Sequence, residues 1–178
     1  MSNETMNQFG YGYVAGVLDA NPDATVLQYN ANSFSDSATG KTMANTAITN
    51  GADVIFHAAG GTGLGVIEAC EEGGVYAIGV DSDQSSVAPD TVITSALKRV
   101  DTAVYDSVEA LISGTLEGGV KTYDLSISGV DIATTDLLSD EVIAAVEEVK
   151  EQIISGEIVV PNNQEDFEAA YGDVYELD

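Results

Sequence analysis

The stretch DVIFHAAGGTGLG, residues 53–65, joins an apolar run to a glycine-rich loop. The apolar part predicts a strand that is buried on both faces, as in a parallel sheet. The chain's only histidine, His57, follows it, and four glycines then fall within residues 60–65. Glycines at a strand end let another group approach the backbone, and the next helix begins with free N–H donors. Three kinds of site fit this pattern: a phosphate-binding loop, the surroundings of a catalytic histidine, or a pocket for a neutral ligand.

Helical and strand-like patterns alternate along the chain. Helices are predicted at residues 4–20, 37–49, 63–72, 102–113 and 140–154, and strands at 24–30, 53–59, 75–81, 92–97, 122–128 and 130–135. Asp36, Asp101 and Ser139 are the expected N-caps of three of these helices. The alternation predicts an α/β fold with a parallel sheet and helices on both faces, in which ligands bind at the carboxyl ends of the strands. The acidic residues after Pro161 predict a loosely ordered tail.

The composition bounds the kind of partner. Five basic residues oppose 30 acidic ones, which gives a net charge of −25, so the chain lacks the basic surface that nucleic acid or anionic lipid requires. Adaptation to high salt explains this charge more simply than calcium binding, because no D-x-[DN]-x-[DN]-G loop occurs. One cysteine and one histidine provide neither a disulfide nor the ligands of a metal site, so no metal or cofactor is expected.

Dilute buffer is expected to lower the temperature of unfolding, because the acidic side chains then repel one another without screening. Thermal unfolding in dilute buffer and in molar KCl tests this expectation. The same unfolding temperature in both would contradict adaptation to high salt.

Motif spacing argues against phosphate binding and covalent catalysis. After Gly61 and Gly63, the third glycine of G-x-G-x-x-G would have to stand at Val66. The segment SDSATGKT (35–42) has Ser35 where the phosphate loop needs glycine, and it lies in a predicted helix. No G-x-S-x-G nucleophile motif is present. Non-covalent recognition is therefore favoured.

The side chains at the predicted strand ends suit a heterocycle that carries a sugar. Phe56 and His57 offer flat faces for stacking. Asp81 and Asp83 are carboxylates that can accept hydrogen bonds from vicinal hydroxyls. Lys98 is one of only five cations in the chain, and a salt bridge is an equally good explanation for it.

Five strings resemble, in order, the basic membrane protein family: GADVIFHAAGGTGLGVIEAC, YAIGVDSDQ, TSALKRVDTAVYDSV, GGVKTYDLSISGVDIA and IISGEIVVP. The resemblance runs from about Phe9 to Pro161. It implies a purine-nucleoside-binding lipoprotein of an ABC transporter, with the two-lobed type I periplasmic-binding-protein fold. Such a protein captures inosine, guanosine or adenosine between its lobes, delivers it to a membrane permease, and is not an enzyme.

The resemblance also implies where the nucleoside binds. Asp81 would hold the ribose hydroxyls, and Lys98 would reach the ligand. Either Phe56 or His57 would stack on the base, and the resemblance leaves open which. The other expected pocket residues lie in two loops: Asn32, Ser33, Phe34, Gly60, Gly61 and Thr62.

The chain departs from the family pattern in its extent. Residues 1–120 correspond to the second lobe, 121–161 to a hinge crossover with a remnant of the first lobe, and 162–178 to the acidic tail. The strand at 130–135 and the helix at 140–154 would then lack their sheet. Family members are anchored on the outer face of the plasma membrane, whereas this chain shows no signal peptide or lipobox, so as given it is expected to be cytoplasmic or a truncated fragment.

These departures leave several partners and functions open. A separate first-lobe chain would supply the missing wall of the pocket. The exposed remnants of the first lobe also suggest self-association through helix 140–154. A half-protein reused as an interaction or regulatory module without ligand is the main alternative function. A nucleoside hydrolase is a weaker one, because no catalytic motif supports it.

Overall fold

The computed structural model describes residues 4–175, so the last three residues of the predicted tail lie outside it. Its helices and strands, in chain order, are α1 (Glu4–Ala20), α2 (Ser37–Thr49), β1 (Val54–Phe56), α3 (Gly63–Gly73), β2 (Tyr76–Asp81), β3 (Val92–Lys98), α4 (Val100–Ser113), β4 (Val130–Ile132), α5 (Asp140–Ser155) and α6 (Gln164–Tyr171). Short 3-10 turns occur at Gly60–Thr62 and Leu125–Ile127.

The four strands form one sheet in the order β1-β2-β3-β4. The first three are parallel, and β4 runs antiparallel to β3. The predicted α/β fold is therefore confirmed, with one antiparallel strand at its edge. The expectation that the strand near residue 130 lacks a sheet is wrong, because Ile132 pairs with Ala96 and Val130 with Lys98.

Helices cover both faces of the sheet, as predicted. On one face, α2 and α3 pack on the strands around Ala69, Cys70 and Ala77, which are fully buried. Burial raises the pKa of the Cys70 thiol to about 11, so the thiol is neutral and unreactive near pH 7. On the other face α1 contacts β1, where the rings of Tyr13 and Phe56 lie 5.1 Å apart.

The prediction of a first strand at residues 24–30 is wrong. These residues pair with no other strand, so β1 is an edge strand of the sheet. Val26 packs against the cluster formed by α1 and α6, while Leu27 and Tyr29 are exposed. The Tyr29 hydroxyl accepts a hydrogen bond of 2.9 Å from the Asn50 amide. Val26 thus packs against helices and not against a neighbouring strand. Strand propensity alone does not make a segment pair with a sheet.

The prediction of a loosely ordered tail is also wrong. Residues 164–171 form α6. Its N-cap is Asn163, whose side chain accepts a hydrogen bond from the Asp166 N–H. Phe167 is fully buried against Tyr11 and Tyr171, with ring centroids 5.6 and 5.1 Å away. Burial of this large aromatic side chain stabilises α6, although the residues around it are acidic.

Two local predictions fail where hydrogen bonds decide the backbone. Residues 122–128 contain the 3-10 turn Leu125–Ile127 and no strand, because the Asp124 carboxylate accepts hydrogen bonds from the N–H and hydroxyl of Ser126. The N-cap of α4 is Arg99, and the predicted cap, Asp101, lies inside the first turn and pairs with Arg99 at 2.9 Å.

The other two predicted N-caps are confirmed. Asp36 accepts a hydrogen bond of 3.0 Å from the Thr39 N–H, and Ser139 accepts one from the Val142 N–H. These caps fix where α2 and α5 begin.

None of the residues of α4 is buried, and the same holds for α5. Val104, Leu111 and Ile112 lie on one side of the helix and are 57 %, 65 % and 82 % exposed. Among residues 4–175, no helix is both long enough and apolar enough to cross a membrane.

Candidate functional site

The carboxyl ends of the three parallel strands meet at one edge of the sheet. His57 follows β1, Asp81 ends β2 and Lys98 ends β3. Crevices for ligands form at this edge in open α/β sheets. The parallel register therefore brings together polar residues that are up to 41 positions apart in sequence.

The glycine-rich loop packs tightly against its surroundings. A Cβ on Gly63 would overlap the imidazole of His57, and one on Gly65 would overlap the carbonyl oxygen of Ser37. Gly60 has φ +52°, a conformation that favours glycine. The glycines of this loop do not match a dinucleotide-binding motif. They allow α3 to pack closely against α2 and against the end of β1.

Thr62 links the two predicted pocket loops. Its hydroxyl donates to the carbonyl oxygen of Ser33 at 3.0 Å and accepts from the Asp36 N–H at 2.9 Å. Its backbone N–H donates to the carbonyl oxygen of Phe34 at 3.3 Å. Because the Thr62 side chain is 1 % exposed and already paired, it holds the loop in place.

His57 is buried, with 4 % of its surface exposed, and its backbone N–H donates to the carbonyl oxygen of Ile78. Neither ring nitrogen has a hydrogen-bond partner among the described residues. Burial lowers the pKa of the imidazole, and the nearby Gln84 amide and Asp81 carboxylate oppose this effect only in part. The Gln84 side chain lies near the ring, and its Oε1 accepts a hydrogen bond from the Val80 N–H. The ring is therefore neutral near pH 7.

A cavity of about 690 Å³ opens beside the free edge of β1. Its walls come from α1, α2, the segment 24–34 and the end of β1. Five of the predicted site residues line it: Ser33, Phe34, Phe56, His57 and Thr62. Among residues 4–175, no aromatic ring stacks on the Phe34 ring, which is 41 % exposed, whereas Phe56 is partly occupied by Tyr13.

Asp81 and Lys98 are not among the residues that line this cavity. They form a salt bridge of 3.1 Å at the ends of β2 and β3, with both side chains about half exposed. Asp81 has φ +66°, which is uncommon for a residue other than glycine and recurs at functional sites. The Asp81 carboxylate acts electrostatically on the His57 ring, which lines the cavity, while the pair itself lies outside the cavity lining. Within the described residues, no three or more His, Cys, Asp or Glu side chains are grouped as for a metal ion.

Sequence analysis missed two residues that shape the site. Gln84 accepts from the Val80 N–H at 2.9 Å, and its own N–H donates to the buried Ser95 hydroxyl, which fixes the turn after β2. Tyr13 packs on Phe56 from α1. The helical spacing of α1 indicated that Tyr13 faces the core, but no motif pointed to its partner.

The sequence profile of the family described as "ABC transporter substrate-binding protein PnrA-like" matches residues 1–164. The chain belongs to this family. The resemblance to basic membrane proteins is thereby confirmed. Relatives from this family include Basic membrane protein A1 of Borrelia garinii subsp. bavariensis, which is 37 % identical over an alignment of 174 positions that covers 94 % of this chain and 51 % of that protein. Basic membrane protein B of Borreliella burgdorferi is 37 % identical over an alignment of 172 positions that covers 94 % of this chain and 49 % of that protein.

Solved structures of solute-binding proteins share the family fold. One is a crystal structure of an ABC transporter system solute-binding protein from Aeropyrum pernix K1, with a TM-score of 0.73 and 26 % identity, covering 91 % of this chain and 55 % of that one. A solute-binding protein from Conexibacter woesei has a TM-score of 0.70 at 23 % identity, over 87 % of this chain and 54 % of that one. At this identity the likeness supports the fold alone. This chain spans about half the length of the curated relatives it matches.

Proposed function

We propose that this chain forms the ligand-binding lobe of the solute-binding component of an ABC importer, and that it binds purine nucleosides without catalysis. The observation that carries the proposal is the cavity lined by Phe34, Phe56 and His57, together with the Asp81–Lys98 pair at the ends of β2 and β3. Aromatic walls suit a purine base, and a carboxylate beside them suits the ribose hydroxyls.

The charge of the site favours a neutral ligand. Lys98 is paired with Asp81, so the edge of the sheet offers no unopposed cation to a phosphate group. The net charge of −25 repels anions from the whole surface. A nucleoside meets both conditions, whereas a nucleotide does not. In this arrangement Lys98 pairs with Asp81, and Asp81 accepts hydrogen bonds from the sugar.

Asp81→Asn is expected to weaken nucleoside binding roughly 10- to 100-fold, because a hydrogen bond to a charged acceptor contributes about 1.5–3 kcal/mol. Asp90→Asn is the matched control, since it removes the same charge from an exposed turn that precedes β3, at the opposite end of that strand from Lys98. Isothermal titration with inosine, guanosine and adenosine in molar KCl measures both variants.

Two outcomes would contradict the proposal. One is the absence of heat with all three nucleosides, also after a first-lobe chain has been added. The other is an equal loss of affinity in Asp81→Asn and Asp90→Asn, which would point to the overall charge instead of the site.

The proposed domain organisation places residues 1–120 in the second lobe and 121–161 in the hinge crossover, with residues 162–178 following it. The exposed face of α4, with Leu111 and Ile112, supports the presence of a further lobe, since solvated apolar faces of this kind usually mark interfaces. That lobe would supply the opposite wall of the pocket. The complete binding protein would lie at the outer face of the plasma membrane and pass the ligand to an ABC permease.

The same face of α4 favours a second candidate, an interaction module that no longer binds ligand. This candidate predicts a stable protein partner whose capture is unaffected by Asp81→Ala. Nucleoside binding that depends on Asp81 would rule it out.

A further inference from the structure

The chain turns sharply where β2 ends. Asp81, the last residue of β2, has φ +66°, and the Ser82 N–H donates to the carbonyl oxygen of Val80 at 2.8 Å. A hydrogen bond over two residues around a central residue with positive φ is the pattern of the rarer and more strained form of γ-turn. A strained backbone persists only where its surroundings hold it. The direction of the Asp81 carboxylate therefore depends on what fixes Val80 and the turn.

The Gln84 side chain fixes Val80. Its Oε1 accepts a hydrogen bond of 2.9 Å from the Val80 N–H. Two residues earlier on β2, the carbonyl oxygen of Ile78 accepts from the His57 N–H, so this side of β2 faces β1. Because alternate residues of a strand bond to the same neighbour, the Val80 N–H is the next donor on that side. The Gln84 amide oxygen thus takes the place of a β1 carbonyl, and the ladder between β1 and β2 ends beside Asp81.

Gln84 is itself held by its neighbours. Its backbone N–H donates to the hydroxyl oxygen of Ser95 on β3 at 3.1 Å, and Ser95 is fully buried. Its carbonyl oxygen accepts from the Val87 N–H at 3.0 Å, which closes the following turn. Gly79 leaves room for the amide, since a Cβ there would stand 2.7 Å from Oε1 of Gln84. The side chain therefore has a fixed place beside the end of β2.

The ion pair with Lys98 does not fix the carboxylate by itself. The Asp81 and Lys98 side chains are 51 % and 55 % exposed, and ion pairs at such exposure are screened by solvent and contribute little. The backbone of the turn is thus the stronger constraint on where Asp81 points.

We propose that Gln84 is the positioning residue for Asp81: by holding the Val80 N–H, it aims the carboxylate at the ribose hydroxyls and sets a preference for ribonucleosides. This inference rests on the proposed nucleoside-binding function and deepens it. A carboxylate that is already in place binds vicinal hydroxyls without a further loss of conformational freedom. Without the Gln84 acceptor the turn is free to move, and ligand binding then has to order it.

Two substitutions of Gln84 test this role through the sugar. Gln84→Met keeps the length of the side chain and removes the acceptor, whereas Gln84→Glu keeps an acceptor. Titration calorimetry in molar KCl compares inosine with 2′,3′-dideoxyinosine, which has the same base and lacks both hydroxyls of the ribose. The wild type should prefer inosine about tenfold or more, and Gln84→Met should lose most of this preference. Gln84→Glu should keep more of it than Gln84→Met.

The ratio of the two affinities separates positioning from general damage. The Gln84 side chain also lies near the His57 ring, so its loss affects any ligand with a purine base. Both ligands carry the same base, so such an effect cancels in the ratio. In an Asp81→Asn background Gln84→Met should change the ratio no further, because the group that it positions is gone.

Gln152→Met in α5 is the matched control and should leave the ratio unchanged. Circular dichroism and thermal unfolding check the folding of each variant. A folded Gln84→Met that keeps the wild-type ratio within about twofold would overturn the proposal.

NMR of the unaltered protein gives a second test that needs no variant. A scalar coupling across the hydrogen bond joins the Val80 nitrogen to the side-chain carbonyl carbon of Gln84 only while that bond exists. The coupling should be present in the free protein and at saturation with inosine, since the acceptor positions Asp81 in both states. Its absence in either state would overturn the proposal, also where Gln84→Met does not fold.

The same measurements separate this inference from the function on which it rests. If the wild type binds no nucleoside, or binds both ligands equally, the proposed role of Asp81 and that of Gln84 fail together. If the preference for inosine depends on Asp81 but survives in Gln84→Met, only the role of Gln84 fails.

Discussion

Replacing Gly65 by alanine is expected to destabilise the protein by about 3 kcal/mol, at the upper end of the usual effect of overpacking. A Cβ at this position would overlap the carbonyl oxygen of Ser37 and crowd the Lys41 N–H, both of which belong to the backbone of α2. A helix backbone cannot rotate away as a side chain can, so α2 and α3 must separate. Urea unfolding followed by circular dichroism measures the change in the free energy of unfolding.

Gly16→Ala is the matched control for this substitution. Gly16 lies in α1, and a Cβ there would meet no atom within 4 Å. Alanine should therefore stabilise the protein by up to about 1 kcal/mol, through its higher helix propensity. If Gly65→Ala is as stable as Gly16→Ala, the close packing of α2 on α3 is not what requires glycine at position 65.

Replacing Phe167 by alanine is expected to destabilise the protein by about 3–5 kcal/mol, the usual range for a buried phenylalanine. Phe167 is fully buried and joins α6 to α1 through Tyr11. Loss of the ring should release α6 and expose the α1 side chain of Val14, which belongs to the same cluster. Thermal and urea unfolding, with hydrogen exchange of the α1 amides, measure both effects.

Tyr105→Ala on α4 serves as the control, since this ring is 67 % exposed and its loss should change the free energy of unfolding by less than about 0.5 kcal/mol. Deletion of residues 162–178 should be at least as damaging as Phe167→Ala. A deletion variant that unfolds at the same temperature as the wild type would contradict the role of α6 and restore the interpretation of these residues as a loose tail.

The sequence predicted where the polar residues of the site lie better than it predicted which side chains they contact. The order of strand, glycines and helix around His57 placed the loop correctly, and the spacing of β2 and β3 placed Asp81 and Lys98 at neighbouring strand ends. Whether Lys98 would pair with a carboxylate was left open, and the structure places its Nζ 3.1 Å from Asp81. Side-chain pairing depends on distances between strands, which sequence spacing does not contain.

Two of the failed predictions concern segments whose structure is decided by residues far away in the sequence. Residues 24–30 have strand propensity, but Val26 packs beside α1 and α6, and no ladder forms. The acidic composition after Pro161 suggested disorder, but the burial of Phe167 holds α6 in place. Both outcomes depend on contacts between segments more than 100 residues apart.

The sequence by itself determined the alternation of helices and strands, the sheet edge that carries the polar residues, and the family. These follow from periodicity, capping and motif order, all of which act over a few neighbouring residues. Tertiary structure alone decided that Gly63 and Gly65 serve close packing, that Thr62 joins two loops, and that His57 is buried without a partner. Burial and pairing are properties of the packed chain, because they depend on which atoms from distant segments fill the space around a side chain.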